Sequence, residues 1–273
     1  MHARVALTRA ISPTINRCEL THLDRVGIDL AIARRQHAAY ERALEALGCE
    51  VRQLSASDEM PDAVFVEDTA IVFDELAIIT RPGAASRRVE TAGVADALAP
   101  HRALRSIEAP GTVDGGDVLV LSRRVFVGCS GRTNAAGVEQ MRGILAPLGY
   151  TVETADVVGC LHLKSAVSAV GDRTLLINRR WIDASRFDAF TLIDTDPAEP
   201  FAANALRVGE TVIFPSEFHR TAERLRRAGV GLHLVSAGEL AKAEGGVTCC
   251  SLIVEAREAA RRGPRAGSGP GMA

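Results

Sequence analysis

Five polar signatures recur along this chain at a nearly constant interval. Glu67, Asp114, His162, Asn204 and Cys249 each stand just ahead of an apolar, β-branched stretch, separated by 47, 48, 42 and 45 residues. A period of ~45 residues is the length of one supersecondary unit, which cannot bury its apolar faces alone and must stack on its neighbours. The element order inside the interval repeats as well. Residues 70–73 and 76–80 read as a hairpin across Asp74-Glu75, 88–98 as a helix and 101–107 as a returning strand. After Asp114 come a hairpin (118–121 and 125–128), a helix (134–148, stopped by Gly149) and a strand (151–154).

The pattern continues with strands 161–167 and 174–177 and a weaker helix around 181–187. It then repeats from Phe201 with strand 211–214, the Arg-rich helix 219–228 and strand 231–235. The chain opens with strand 5–8, helix 29–47 ending at Gly48, and strand 50–54. A second apolar strand, 63–66, runs into the adjacent acids Glu67-Asp68, and 237–244 reads as a short helix. The stretch after Glu244-Gly245-Gly246 reads as a closing strand carrying Cys249 and Cys250 at its start. The expectation is an α/β chain folded as a five-bladed, pseudo-symmetric propeller of ββαβ units, with all five signatures at one central end. The other architecture the pattern allows is a two-layer α/β domain in which the spacing is coincidence. Residues 1–256 read as one domain and 257–273, rich in Arg, Ala, Gly, Pro and Ser, as a flexible tail.

Composition removes several classes of function. A net charge of −2 offers no basic surface for nucleic acid or an anionic membrane. No apolar run reaches the ~18 residues that cross a bilayer, and the N-terminus lacks the apolar core of a secretory leader. Six scattered cysteines are too few for a disulfide framework, so the expected compartment is the reducing cytoplasm.

The signatures carry complementary chemistry. A thiol needs an imidazole nearby to serve as a nucleophile, and the imidazole needs a carboxylate to fix its tautomer. Cys249, His162 and Asp114 supply one of each. Taken singly they are ordinary: buried cysteines are common, a His between two leucines is usually a core residue, and Gly-Gly-Asp is usually a turn. Their joint occurrence at matched repeat positions is what favours catalysis. Glu67 and Asp68 form a pair of like charges whose natural answer is a guanidinium. Arg87 and Arg132 could fork onto a carboxylate. Adjacent cysteines do not fit the spaced pairs of structural zinc sites.

Val64-Phe65-Val66-Glu67-Asp68, Thr80-Arg81-Pro82-Gly83-Ala84 with Ser86-Arg87-Arg88, Thr112-Val113-Asp114-Gly115-Gly116-Asp117, Arg132-Thr133-Asn134, Leu161-His162-Leu163-Lys164 and Val247-Thr248-Cys249-Cys250-Ser251 together resemble the dimethylarginine dimethylaminohydrolases. Each motif is weak alone; the ordered set, spanning 20–254, is specific. The resemblance implies the pentein fold of the guanidine-modifying (amidinotransferase) superfamily, which is the five-bladed propeller already expected. It also implies cofactor-independent hydrolysis of monomethyl- or asymmetric dimethyl-L-arginine to L-citrulline and a methylamine. By position it makes Cys249 the nucleophile, His162 the general acid/base and Asp114 its orienting carboxylate. Asp62, Glu67 and Asp68 match acidic substrate contacts, Arg87 and Arg132 carboxylate binders, and Leu20, Ala243 and Glu244 the lid and its backbone contacts.

No metal is required by that resemblance, and zinc captured by Cys249 and His162 would inhibit. A homodimer is one assembly such a chain could form. The sequence departs from the family at Ala205, where a cysteine often stands, and at Glu244, where Asp is common. The second departure lies near the expected α-amino end of the substrate. Arginine and agmatine deiminases are the rivals within the same chemistry, though arginine deiminases are longer and their equivalent strand ends Arg-Asp. A non-catalytic guanidine-binding propeller is the alternative of a different class.

Overall fold

The computed structural model describes residues 4–255. The segment read as a tail, 257–273, lies outside the described residues. In chain order the strands and helices are β1 (Arg4–Arg9), α1 (Leu30–Ala46), β2 (Cys49–Leu54), β3 (Ala70–Val72), β4 (Leu76–Ile79), α2 (Thr91–Leu98) and β5 (Ala103–Ser106). Then follow β6 (Val118–Leu121), β7 (Arg124–Cys129), α3 (Ala135–Leu145), β8 (Thr151–Asp156), α4 (Leu163–Ala166), β9 (Val167–Gly171), β10 (Thr174–Ile177) and β11 (Thr191–Asp194). The last are β12 (Leu206–Val208), β13 (Thr211–Pro215), α5 (His219–Arg227), β14 (Gly231–Val235), α6 (Gly238–Ala241) and β15 (Leu252–Glu255).

Among the described residues these strands form five three-stranded sheets: β3-β4-β5, β6-β7-β8, β9-β10-β11, β12-β13-β14 and β15-β1-β2. Each pairs its first two strands antiparallel and its last two parallel. That mixture follows from the connections. A tight turn can only return the chain antiparallel, whereas a parallel neighbour needs a crossover, here supplied by α1, α2, α3 and α5. The third crossover is reduced to a 3-10 turn, Ala184–Phe187, where a weak helix was expected. The fifth sheet joins the two chain ends, with Arg4 opposite Glu255 and Leu7 opposite Leu252.

Strand alternation explains why the sheets close into a ring. The middle strand of each sheet is apolar at successive positions, because its two faces meet different neighbours. In β4, Ala77 and Ile79 join Leu7 and Leu252, while Leu76 and Ile78 join Val118 and Val125. In β7, Val125 and Val127 face back to that second cluster, and Phe126 faces Leu175 and Ile177 of β10. Leu176 in turn meets Val212 and Phe214 of β13, whereas Ile213 packs toward Ala6 and α1. Five apolar clusters thus lie between five successive sheet pairs, and the circuit returns to its start. This is the five-bladed α/β propeller. No helix among the described residues is long and apolar enough to cross a membrane.

Three further local expectations fail, all at the ring's centre. Residues 63–66 are turn and the start of a 3-10 turn (Val66–Thr69), not a strand. His162 precedes a single turn of helix, α4, instead of standing within a strand. Cys249 and Cys250 lie in the turn before β15. These stretches look like strands because they are apolar, but they are buried from every side at the axis, where no adjacent strand is available to pair with them. Burial without pairing gives apolar turns.

Candidate active site

The buried turns at the axis still carry backbone N–H and C=O groups that need partners. They find them in one another. Glu67 N donates to Cys249 O (3.1 Å), Gly116 N to the Asp68 carboxylate (2.9 Å) and Leu163 N to the Asp117 carboxylate (3.1 Å). Asn204 Nδ2 donates to Lys164 O (3.2 Å), and Thr248 N donates to Asn204 Oδ1 (3.0 Å). Each blade start is thereby tied to the next around the whole ring. Asn204 serves this ring with its side chain, Glu67 and Cys249 serve it with their backbone, and Asp68 and Asp117 supply its carboxylates, which leaves the Asp114 and His162 side chains for other partners.

His162 is 4 % exposed, and its Nε2 lies 3.1 Å from Asp114 Oδ2. The other oxygen of Asp114 accepts from Gly83 N at 2.8 Å, so the carboxylate is fixed before it touches the ring. His162 Nδ1 faces Asp68 Oδ1 at 3.8 Å. Gly116 lets these groups converge: a Cβ there would sit 2.5 Å from His162 Nδ1 and 2.8 Å from Asp68 Oδ1. Burial opposes charge on the imidazole, but Asp68, the hydrogen bond to Asp114, and Asp117 outweigh it and lift His162 to about 9. The ring is therefore an imidazolium at neutral pH. Asp68, Asp114 and His162 are also near enough to share one metal ion, although Asp114 and His162 already engage each other.

Cys249 Sγ accepts from Gly246 N at 3.3 Å and faces the same cavity as His162. Cys250 does not line that cavity: its thiol lies toward Gly246 O at 3.5 Å, and both cysteines pack in the apolar cluster under α1. Gly245 and Gly246 are required by proximity, because a Cβ on them would meet the Phe65 ring at 2.1 Å and the Asn204 side chain at 2.4 Å. Burial, and then the carboxylates of Glu67 and Asp68, push the Cys249 thiol up to about 12. At rest the pair is a neutral thiol beside an imidazolium.

The two acids already have cations of their own. Glu67 is bonded to Lys164 Nζ (2.5 Å) and Thr248 Oγ1 (2.8 Å), and Asp68 to Arg87 Nη1 (2.5 Å). Burial would raise Asp68, but His162 and Arg87 prevail and hold it near 2. Burial pushes Glu67 up, with Lys164 opposing. Arg87, expected to fork onto a substrate carboxylate, is 4 % exposed and largely engaged. It also binds Glu90 (2.8 Å) and the carbonyls of Phe65 (2.8 Å) and Asp62 (3.3 Å). Lys164, Thr248, Asn204 and Glu90 are the partners that sequence reasoning did not assign. Lys164 offered a signal, a basic residue two positions beyond His162 at the mouth of an apolar unit.

Asp62, Asp68, Arg87, Arg132, His162, Ala243, Glu244 and Cys249 line one small cavity of about 20 Å³, together with Glu19, Phe65, Leu161 and Gly245. Asp114 and Glu67 stand behind this lining, and Leu20 packs on the apolar cluster under α1. Both Asp62 oxygens accept from Glu19 N at 3.2 Å, and burial raises that carboxyl to about 6. A roomier, mostly apolar cavity of about 300 Å³ adjoins, sharing Leu161, Glu244 and Gly245.

Residues 17–191 match the family described as eukaryotic N,N dimethylarginine dimethylhydrolase. The N(G),N(G)-dimethylarginine dimethylaminohydrolase of Streptomyces coelicolor is 42% identical over 254 residues, 92% of this chain and 97% of that protein. The chain belongs to the dimethylarginine dimethylaminohydrolase family. A crystal structure of the family's Pseudomonas aeruginosa member, a cysteine-to-serine variant complexed with citrulline, superposes with a TM-score of 0.87 at 33% identity. It covers 93% of this chain and 100% of the other. An amidinotransferase from Microseira wollei shares the fold alone, with a TM-score of 0.77 at 16% identity over 92% of this chain and 94% of its own. Membership in the dimethylarginine dimethylaminohydrolase family makes the chain a hydrolase acting on amidines.

Proposed function

We propose that the chain hydrolyses Nω-methylated L-arginine to L-citrulline and a methylamine, with Cys249 as nucleophile, His162 as general acid and base, and Asp114 orienting His162. One observation carries this reading: the thiol that shares a cavity with His162 is held protonated by burial and then by carboxylates that would also attract a cation. A guanidinium laid against Asp68, with Glu67 behind it, is attracted by both carboxylates and relieves their repulsion of the Cys249 thiolate. The ligand that needs the thiolate is the one that generates it.

As the cation binds, Cys249 releases its proton to solvent, His162 being already protonated, and the thiolate sulfur then attacks the guanidino carbon. The imidazolium of His162 passes its proton to the departing dimethylamine, leaving a planar thiouronium on Cys249. Neutral His162 next takes a proton from the attacking water. Collapse of the adduct breaks the C–S bond and releases the ureido product. Arg132, half-buried at the cavity wall, supports this reading as a cation for the α-carboxylate, and Asp62, on the same wall, as a carboxylate for the α-amino group. Six unpaired cysteines fit a reducing, cytoplasmic setting.

The test is incubation with asymmetric dimethylarginine, monomethylarginine, arginine and agmatine, read for ureido product and amine. Equal amounts of citrulline and dimethylamine from the first, abolished in Cys249→Ser, are expected. Ammonia from arginine or agmatine with no reaction of the methylated compounds would make the chain a deiminase.

A further inference from the structure

Glu244 occupies a position its own backbone disfavours. Just past α6, Glu244 N donates to Ala241 O and Gly245 N to Leu240 O, both at 3.1 Å, and Glu244 has φ of +60°. This is the left-handed residue that closes a helix in a Schellman turn, a place glycine fills without strain. A side chain kept there against the backbone preference needs a reason elsewhere. The carboxylate provides one. It accepts from three successive backbone N–H groups: Thr21 (3.1 Å), His22 (2.5 Å) and Leu23 (2.7 Å). Consecutive amides converging on one anion form a nest, and bonds to an ionised acceptor are the stronger kind.

Those amides belong to 18–25, which has no helix or strand and roofs the cavity through Glu19. The roof has other ties: Glu19 N to Asp62, Ser86 Oγ to Glu19 (2.6 Å) and Arg132 Nη2 to Thr21 Oγ1 (3.1 Å). A cavity needs ~10–15 Å³ by this measure to hold one water. About 20 Å³ therefore leaves room for a water or so and none for an arginine, and the roof must lift to admit one. Asp62 and Arg132 are the proposed contacts of the substrate, so a ligand reaching them competes with their ties to the roof. The three bonds to Glu244 come from backbone amides and involve neither Asp62 nor Arg132.

We infer that Glu244 is a positioning residue, a latch whose carboxylate holds residues 21–23 and sets the roof over the reacting groups with or without ligand. The inference rests on the proposed function for its kinetic consequence only. Ligand-free hydrogen exchange tests the latch directly, alongside steady-state constants for dimethylarginine, in wild type, Glu244→Gly and Glu244→Asp. Glycine removes the carboxylate and relaxes the left-handed backbone, so the melting temperature should stay close to wild type. The amides of Thr21, His22 and Leu23 should then exchange about tenfold faster or more. KM should rise about tenfold or more while kcat stays within about threefold, because Cys249, His162 and Asp114 are held by the axial ring and not by the roof. Glu244→Asp should recover part of both effects. Unchanged exchange at 21–23 in Glu244→Gly overturns the latch. So does a lowered melting temperature with equal loss in kcat and kcat/KM, which would make Glu244 a structural prop. Should wild type turn over no methylarginine, the functional reading falls while the exchange data still decide the latch.

Discussion

Replacing Glu67 by Gln should make Cys249 more reactive toward a neutral alkylating agent while impairing the reaction with a cationic one. The thiol rises from 9.0 to about 12 in the folded chain, first through burial and then through Glu67 and Asp68. Three pKa units correspond to about 4 kcal/mol against the thiolate, and leave a thiolate fraction of ~10⁻⁴ at pH 8. Glu67→Gln keeps the shape and the bond from Thr248 but removes the larger of the two named charges, and it frees the Lys164 charge to favour the thiolate. A share of about one unit gives about a tenfold rise in alkylation rate at fixed pH. The assay is the second-order rate of iodoacetamide on the ligand-free protein between pH 7 and about 10, with the modified peptide located by mass spectrometry. An amidinium-bearing haloacetamidine is run beside it: wild type should favour this cationic reagent, and the substitution should narrow or reverse the preference. An iodoacetamide rate unchanged or lower in Glu67→Gln would refute the idea that the carboxylate wall holds the thiol neutral. So would equal effects on both reagents.

Three further expectations follow from the same geometry. His162→Gly should still bind methylarginine while turnover falls about 10²–10⁴-fold, seen by equilibrium binding beside steady-state kinetics. His162 rises from 6.5 to about 9 on folding, so its protonation stabilises the fold fully below pH 6.5 and that contribution, on the order of 3 kcal/mol, is lost as pH climbs through 9. Melting temperature should therefore fall across that window in wild type and stay flatter in His162→Gly. Arg132→Ala should raise KM for methylarginine strongly yet leave agmatine, which has no α-carboxylate, no worse than in wild type; an equal loss on both would remove Arg132 from carboxylate binding.

The propeller was legible in the sequence because its cause is local and repeated. Each unit needs two strands joined by a tight turn, then a crossover and a third strand, and each middle strand must be apolar on both faces. Those demands write a ~45-residue period that survives without residue identity between units. The convergence of Cys249, His162, Asp114 and the acid pair was legible for a related reason, since the same position of each unit comes to the axis; Leu20, Asp62, Ala243 and Glu244 were named by the family resemblance alone. What the sequence could not decide is how that convergence is electrostatically settled. Residues 63–66 and 161–167 look like strands by composition, and only the crowding at the axis turns them into buried turns. Lys164 on Glu67, Arg87 on Asp68 and Glu244 on the roof are pairings between residues 97, 19 and 221–223 positions apart. A carboxylate's partner depends on distance in space, which the period does not encode. Composition and spacing determined which groups would meet; packing and burial decided which are charged when they do.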